Sequence, residues 1–527
     1  MIRSEIKAAL RDAIRKIFGK VEAPEFSIEV PENPEHGDYA TNVALVLAKQ
    51  LKKPPMEIAH SLAAQLTTKV EVAPPGFINF WVSPATLYKE LVTVLKKNDK
   101  YGKGERKATK ISVEYLDANP TGPVHIGHGR SGFLGDVLSN VLSFFGYRVT
   151  REFYVNNAKI SGQIKSLGKT ALGKGSEYRH AQLLRILKTQ RVHTKIKKLK
   201  NESEAGFIIA RIIQKENEEL LKEKARISFD LFFEEEAVYK SGDAERLLGR
   251  LKKQGILYEK DGAWWFQAKK FGDAEDRVFV RSTGEPTYIV PDIVYHLDKL
   301  VNRKNDLVIN IFGADHYGYG PRLLGALKAL GIEPARVRIL IMQTVRLIKG
   351  GKEFKMSKRR GLFVTLEELI KEVGLDAARY FFLEKSPDTH MDFDLDLAKE
   401  RSVKNPVYYI QYAHARISSI FKNARNSNYK LQITNYKLLK EREELRLIKK
   451  LIQFTEIVED TARDYQVHRL PRYAYELARA FHNFYEKHRV ITEDKNLTAA
   501  RLNLVSATQV VLKNILSLMG IGAPEKM

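Results

Sequence analysis

Asp117-Ala118-Asn119-Pro120-Thr121-Gly122-Pro123-Val124-His125-Ile126-Gly127-His128-Gly129-Arg130 is the stretch whose reading decides the fold. Upstream, Ile111 to Leu116 alternates and carries β-branched and aromatic residues, as a strand requires. Downstream, Phe133, Val137, Leu138, Val141 and Leu142 recur at helical spacing until Gly146 ends the run. Strand, turn and helix make the first half of a βα unit in a parallel sheet. The turn then lies at the carboxyl edge of the strand, where open α/β sheets bind ligands. It holds neither a dinucleotide glycine fingerprint nor a GKS or GKT phosphate loop. Instead His125 and His128 stand three residues apart, on one face of the first helical turn. Backbone N–H groups and the positive end of the helix dipole suit that place to phosphate oxygens and to transition-state charge. The competing readings are a capping histidine with a core neighbour, and two ligands of a zinc site. Zinc needs three or four ligands, and the chain has no cysteine and no HExxH.

With 527 residues the chain should form two to four domains. No apolar run approaches a membrane span, and the N-terminus begins a mixed-charge amphipathic helix without a signal-peptide core. A cytoplasmic protein with no membrane attachment is expected. The absence of cysteine excludes disulfides and thiolate metal sites. A formal net charge of +24 suggests a polyanionic partner bound in a salt-sensitive way, or else a generically basic proteome.

Outward from the central turn, residues 1–100 read as a separate small α+β domain. It has an amphipathic helix over Ile2 to Phe18 and a strand over Phe77 to Val82. Residues 101–393 alternate strands and helices as a doubly wound, Rossmann-type α/β domain. An insertion at about 159–274 interrupts it. The basic run Lys195 to Lys200 in that insertion is read first as a solvated helix face. The sheet is expected to resume near Val278, with strands at Leu307 to Phe312 and Val337 to Thr344. Residues 394–527 carry helical apolar spacing throughout and read as an all-α bundle. Lys422 to Lys437 reads as an exposed loop.

A second stretch, Gly350-Gly351-Lys352-Glu353-Phe354-Lys355-Met356-Ser357-Lys358-Arg359-Arg360-Gly361, is a cationic loop bracketed by glycines. It can close over a polyphosphate, and lysines act on phosphates as point charges. Together, His125-Ile126-Gly127-His128 and Lys355-Met356-Ser357-Lys358 resemble the two hallmark motifs of class I aminoacyl-tRNA synthetases. Five further segments narrow the resemblance to the arginyl-tRNA synthetase family: Gly37 to Asn42, Gly76 to Phe80, Gly313 to Gly318, Asp376 to Tyr380 and Asn405 to Arg416. The similarity runs nearly end to end. Two departures stand out. Arg359 replaces the last serine of the second hallmark. Asn157 and Lys159 stand where the family carries an aspartate and a glycine.

The resemblance implies an arginine–tRNA ligase that forms arginyl-adenylate from arginine and ATP, then transfers arginine to the terminal ribose of tRNA(Arg). It implies His125, His128, Lys355 and Lys358 as catalytic residues. Gly127, Gly313, Asp315, His316, Met356 and Ser357 would hold ATP. Glu114, Asn119, Tyr288, Asp292 and Gln163 would hold arginine, the acids gripping its guanidinium. Asn79, Phe80, Tyr408, Tyr412 and Arg416 would touch tRNA, although a tyrosine stripe on a bundle helix also fits core packing. Magnesium is expected with ATP, no zinc is expected, and a monomer is expected. The rival readings are a cysteinyl or glutamyl enzyme of the same class and a silent RNA-binding relative. A cysteinyl enzyme needs a zinc site, a glutamyl enzyme needs cations in place of Glu114 and Asp292, and a silent relative should have lost a histidine or lysine.

Overall fold

The structure, a computed structural model, describes residues 2–19, 21–354, 365–426 and 435–527. At its centre is a five-stranded parallel sheet in the spatial order Val337–Met342, Leu307–Gly313, Lys110–Glu114, Arg148–Val155, Leu231–Glu234. Helices cover both faces, so the Lys110–Glu114 strand is buried from Ile111 onward, Ser112 and Glu114 included. The chain leaves this strand toward Arg148–Val155 and later returns on its other side through Leu307–Gly313. That reversal of direction opens a crevice above Glu114 and Gly313.

The long helix Ile126–Phe144 crosses beneath the crevice and is almost wholly buried. Its glycines let it lie against the sheet: a Cβ on Gly135 would stand 2.1 Å from the Tyr115 ring. Gly146 ends the helical segment with φ of +101°, and a Cβ there would meet Glu105 O at 1.9 Å.

The sheet departs from the expected layout in two respects. Leu231–Glu234, inside the span read as an insertion, pairs in parallel with Arg148–Val155 and belongs to the main sheet. Arg277–Val280, where the sheet was expected to resume, joins Leu257–Lys260 and Ala263–Phe266 in a separate antiparallel sheet. A four-residue edge strand that runs straight into a helix leaves too short a pattern to separate from its helical surroundings.

The first hundred residues form a four-stranded antiparallel sheet with helices Ile2–Phe18, Val43–Leu51 and Pro55–Ala63. Helices Pro406–Asn426, Arg442–Asp464, Arg469–Lys487 and Lys495–Leu518 make the C-terminal bundle. Lys422 to Asn426, read as loop, continues the first of these helices, and the rest of that expected loop up to residue 434 lies outside the described residues. The two terminal units meet: Tyr39 Oη donates to Glu456 Oε1 at 3.0 Å, and Arg3 pairs with Asp460 at 2.7 Å.

Candidate active site

The strand Lys110–Glu114 is followed by two consecutive non-glycine residues in the left-handed region, Leu116 at φ +79° and Asp117 at φ +41°. Such backbone is costly and persists only where its surroundings hold it. Here Ser131 Oγ accepts from Leu116 N at 2.8 Å, and Asp117 Oδ1 accepts from Tyr154 N at 2.9 Å. The sharp turn delivers His125 to the N-cap of Ile126–Phe144. His125 Nδ1 accepts the Gly127 N–H at 3.1 Å, and His128 Nδ1 accepts the His125 N–H at 3.4 Å. With both Nδ1 atoms accepting, each neutral ring carries its proton on Nε2. The rings stack, centroids 3.6 Å apart, and form a two-donor platform at the positive end of the helix.

Below this platform the acids are already engaged. Glu114 is 3 % exposed and pairs with the wholly buried Lys299. Lys299 also reaches Asn310 Oδ1 at 3.4 Å and lies 3.8 Å from the Tyr295 ring centroid. Asn310 Nδ2 meets His296 Nε2 at 2.7 Å, and His296 Nδ1 lies 3.0 Å from Asp292 Oδ1. Tyr319 Oη donates to the other Asp292 oxygen. A continuous polar chain therefore links Glu114 to Asp292. Burial raises the Asp292 carboxyl, but the His296 charge and hydrogen bond, then Tyr319 and Lys299, bring it below its ordinary value. Asp117 goes the opposite way, raised by burial and then by the Glu114 charge beside it.

A further acid was not picked out from the sequence. Glu235 opens the helix Glu235–Lys240, is 8 % exposed, and is pushed up to about 7 by burial and by the charge of Asp292. Asn157 holds that helix start, its Oδ1 accepting Glu236 N at 3.1 Å. Lys159, the other departure from the family pattern, pairs with Glu204 and hydrogen-bonds Glu236 through its backbone N–H. Lys299 and His296 were also missed. Asp292, His296 and Lys299 fall at i, i+4 and i+7, one helical face, and that spacing was the available signal.

The remaining expected residues are spread around the crevice. Tyr288 is 58 % exposed, its ring 5.5 Å from that of Tyr319. Asn119 and Gln163 are exposed, Gln163 in the first turn of Gly162–Ala171. Gly313 ends its strand, and Asp315 and His316 follow on a solvent-facing helical turn. Lys355, Met356, Ser357 and Lys358 lie outside the described residues. The chain around them is described: the hairpin Val345–Lys349 and Lys352–Phe354 precedes them. Thr365, which follows, forms an antiparallel bridge with His125, and Leu366 N donates to Val124 O at 2.9 Å. Thr365 and Leu366, downstream of that segment in the chain, are therefore in direct backbone contact with the histidine turn.

Two expected tRNA contacts sit inside their domain. Asn79 and Phe80 are 5 % and 2 % exposed, in a strand flanked by Tyr39–Thr41 and Val70–Ala73. Both side chains pack within the domain, on a strand that has neighbours on both edges. Tyr408, Tyr412 and Arg416 are half-buried along one face of Pro406–Asn426. The tyrosine rings stack 6.2 Å apart, and the Arg416 guanidinium lies over both Tyr412 and Tyr485.

A parallel sheet with its reversal crevice, a histidine pair at the helix start and an all-helical C-terminal unit define a class I aminoacyl-tRNA synthetase. The family description "tRNA synthetases class I (R), catalytic domain" matches residues 90–423. "Arginyl tRNA synthetase N terminal domain" matches 4–82, and "DALR anticodon binding domain" matches 410–527. Within the class, the chain belongs to the arginyl-tRNA synthetase family. It is 40% identical to the arginine–tRNA ligase of Caldanaerobacter subterraneus subsp. tengcongensis, over 100% of this chain and 98% of the relative. It is 39% identical to the arginine–tRNA ligase of Staphylococcus aureus, with both chains fully covered. Thermus thermophilus arginyl-tRNA synthetase shares the fold, with a TM-score of 0.81 over the whole of both chains at 23% identity.

Proposed function

We propose that the chain is an arginine–tRNA ligase whose chemistry is carried by the histidine platform, and whose choice of amino acid is made by the buried acids beneath it. Arginine enters with its guanidinium toward Asp292 and Glu235 and its α-groups toward Asn119. Glu114 stays paired with Lys299 and sets the local charge. Glu235 gives up its proton when the guanidinium arrives, because a buried cation beside it reverses the cost of ionisation. An amino acid without a planar five-donor fork leaves these acids unsatisfied, which supports strong rejection.

The arginine carboxylate then attacks the α-phosphate of ATP in line. The Nε2 donors of His125 and His128 take up charge that grows on the phosphate, and Lys355 and Lys358 draw off pyrophosphate. Among the described residues no three histidine, aspartate or glutamate side chains gather as a metal site. Magnesium is read as arriving with the triphosphate it neutralises, as part of that substrate. In the second step a terminal ribose hydroxyl of tRNA attacks the adenylate carbonyl and releases AMP. Positioning and electrostatics suffice, with no covalent enzyme intermediate.

The observation that carries this reading is the stacked histidine pair at a helix N-terminus, on the turn that follows the strand bearing the buried Glu114–Lys299 pair. Among the described residues no helix is long and apolar enough to cross a membrane. The reading includes a cytoplasmic monomer, and sedimentation checks the second part. Amino-acid-dependent ATP–pyrophosphate exchange, run across the twenty amino acids with and without tRNA, tests the whole. Exchange with arginine alone is expected. Exchange with another amino acid, or with none, overturns it.

A further inference from the structure

Arg130 lies two residues beyond His128, in the second turn of the helix Ile126–Phe144. It is 1 % exposed, and among the described residues its guanidinium has no carboxylate partner. Its donors go to backbone carbonyls instead. Nη1 donates to Gln343 O at 2.7 Å, and Nη2 donates to Ser386 O and Thr389 O, each at 2.9 Å. Burial pushes its pKa down to about 10, with the Asp388 charge acting the other way, so the side chain stays a cation at neutral pH. Burying a cation with no carboxylate beside it is costly and is tolerated only where hydrogen bonds compensate.

The three carbonyls belong to one place in the fold. Gln343 stands two residues before the strand Val345–Lys349, and Ser386 and Thr389 stand in the loop leading into Met391–Asp394. Those two strands pair in parallel, Val345 opposite Met391. Gln343 N donates to Pro387 O at 2.8 Å and Met391 N to Thr344 O at 3.2 Å, which joins the two strand starts. The guanidinium therefore grips the root of the small sheet whose third strand is Lys352–Phe354. Further out, exposed contacts hold the hairpin. Arg346 pairs with Asp392 at 2.7 and 3.0 Å, and Gly350 N donates to Asp396 Oδ2 at 2.6 Å. Exposed ion pairs are screened and weak, so the buried joint at Arg130 is the firm one. Lys355 and Lys358 follow Phe354 in the chain.

We propose that Arg130 is a positioning residue for adenylate formation: it fixes the root of the hairpin 345–354 against the histidine helix, and so sets where the chain that continues into Lys355 and Lys358 starts relative to the platform. The inference rests on the ligase reading above and deepens it. Adenylate formation needs the α-phosphate and the departing pyrophosphate to be met by two segments at once, whereas transfer to the ribose involves no pyrophosphate. A displacement of about 1 Å between such groups costs roughly 100-fold in rate. With its donors on backbone carbonyls, Arg130 acts through this frame and not on substrate.

Arg130→Met and Arg130→Lys test it in the full-length enzyme with tRNA present. Arg130→Met should lower kcat for arginine-dependent pyrophosphate exchange about 100-fold, with the arginine KM within about threefold of wild type. AMP-dependent deacylation of arginyl-tRNA runs the transfer step backward without pyrophosphate, and its rate should stay within about threefold. Arg130→Lys keeps the charge but cannot fork to both strand starts, so its exchange rate should fall about tenfold with the same split. Amide hydrogen exchange should quicken across Val345–Lys349 in both variants and stay unchanged in Leu307–Gly313. Any other division of the loss between the two reactions, no loss in either, or unaltered hydrogen exchange across Val345–Lys349 overturns the inference and leaves the ligase intact. So does a chain that folds with neither substitution, since Arg130 would then serve the fold alone. A wild-type enzyme without arginine-dependent exchange fails the ligase reading itself.

Discussion

The chain meets an amino acid and a nucleic acid in opposite environments. Glu114 with Lys299 and Asp292 with His296 form fixed pairs that are almost closed to water, and Glu235 is buried near Asp292 without pairing to it. Along the Tyr408–Arg416 face, two rings and a cation lie half-exposed. A buried charge missing its partner costs about 3–5 kcal/mol, whereas an exposed pair is worth at most about 1 kcal/mol. On the proposed reading, the pocket refuses wrong ligands and the surface collects many weak contacts that add up to affinity. The contrast teaches where specificity can be stored in a small site: in groups that cannot be left alone.

The contrast can be broken in four places. The largest effect is expected at the platform. His128→Ala should lower kcat for arginine-dependent pyrophosphate exchange by about 10²–10³-fold with little change in arginine KM. A variant with raised KM and intact kcat would make His128 a binding group. Next comes the pocket. Asp292→Asn should raise the arginine KM by roughly 10- to 100-fold, since a charged hydrogen bond is worth about 1.5–3 kcal/mol. Unchanged arginine kinetics would remove Asp292 from the site.

Third is pH. The Glu235 carboxyl, raised to about 7, must be ionised to meet a guanidinium. kcat/KM for arginine should fall as pH drops through 7, by about tenfold per unit at the lower end, and Glu235→Gln should flatten that limb while lowering the plateau. The stability sign is the reverse. A carboxyl raised in the folded state costs stability as pH climbs from its unfolded value toward 7, so without arginine the Gln variant should melt higher at pH 8 and not at pH 4. The smallest effect belongs to the surface: Tyr412→Ala should raise the tRNA KM about fivefold, the value of a partly stacked base, with arginine kinetics untouched.

The parts legible in the sequence were those written locally. The histidine spacing, the strand before it, and the bundle helices follow from periodicities of two and 3.6 that neighbouring residues enforce. The burial of Phe80 was not legible, because a matched position says nothing about which face of a sheet is covered. Leu231–Glu234 was hidden because membership of a parallel sheet depends on a partner far away in the chain. Lys299 was hidden for the same reason. Its meaning comes from Glu114 on a strand of the opposite half, and nothing in Asp298-Lys299-Leu300 announces a buried cation.

The bridge between His125 and Thr365 bears on how the enzyme is made. A growing polypeptide emerges from the ribosome N-terminus first, and its domains fold in that order. A nascent chain that has not yet released Thr365 holds its histidines without the backbone that clasps them. Competence for adenylate formation should thus arise late in synthesis, and prematurely terminated products should be inert toward ATP even when their sheet is complete.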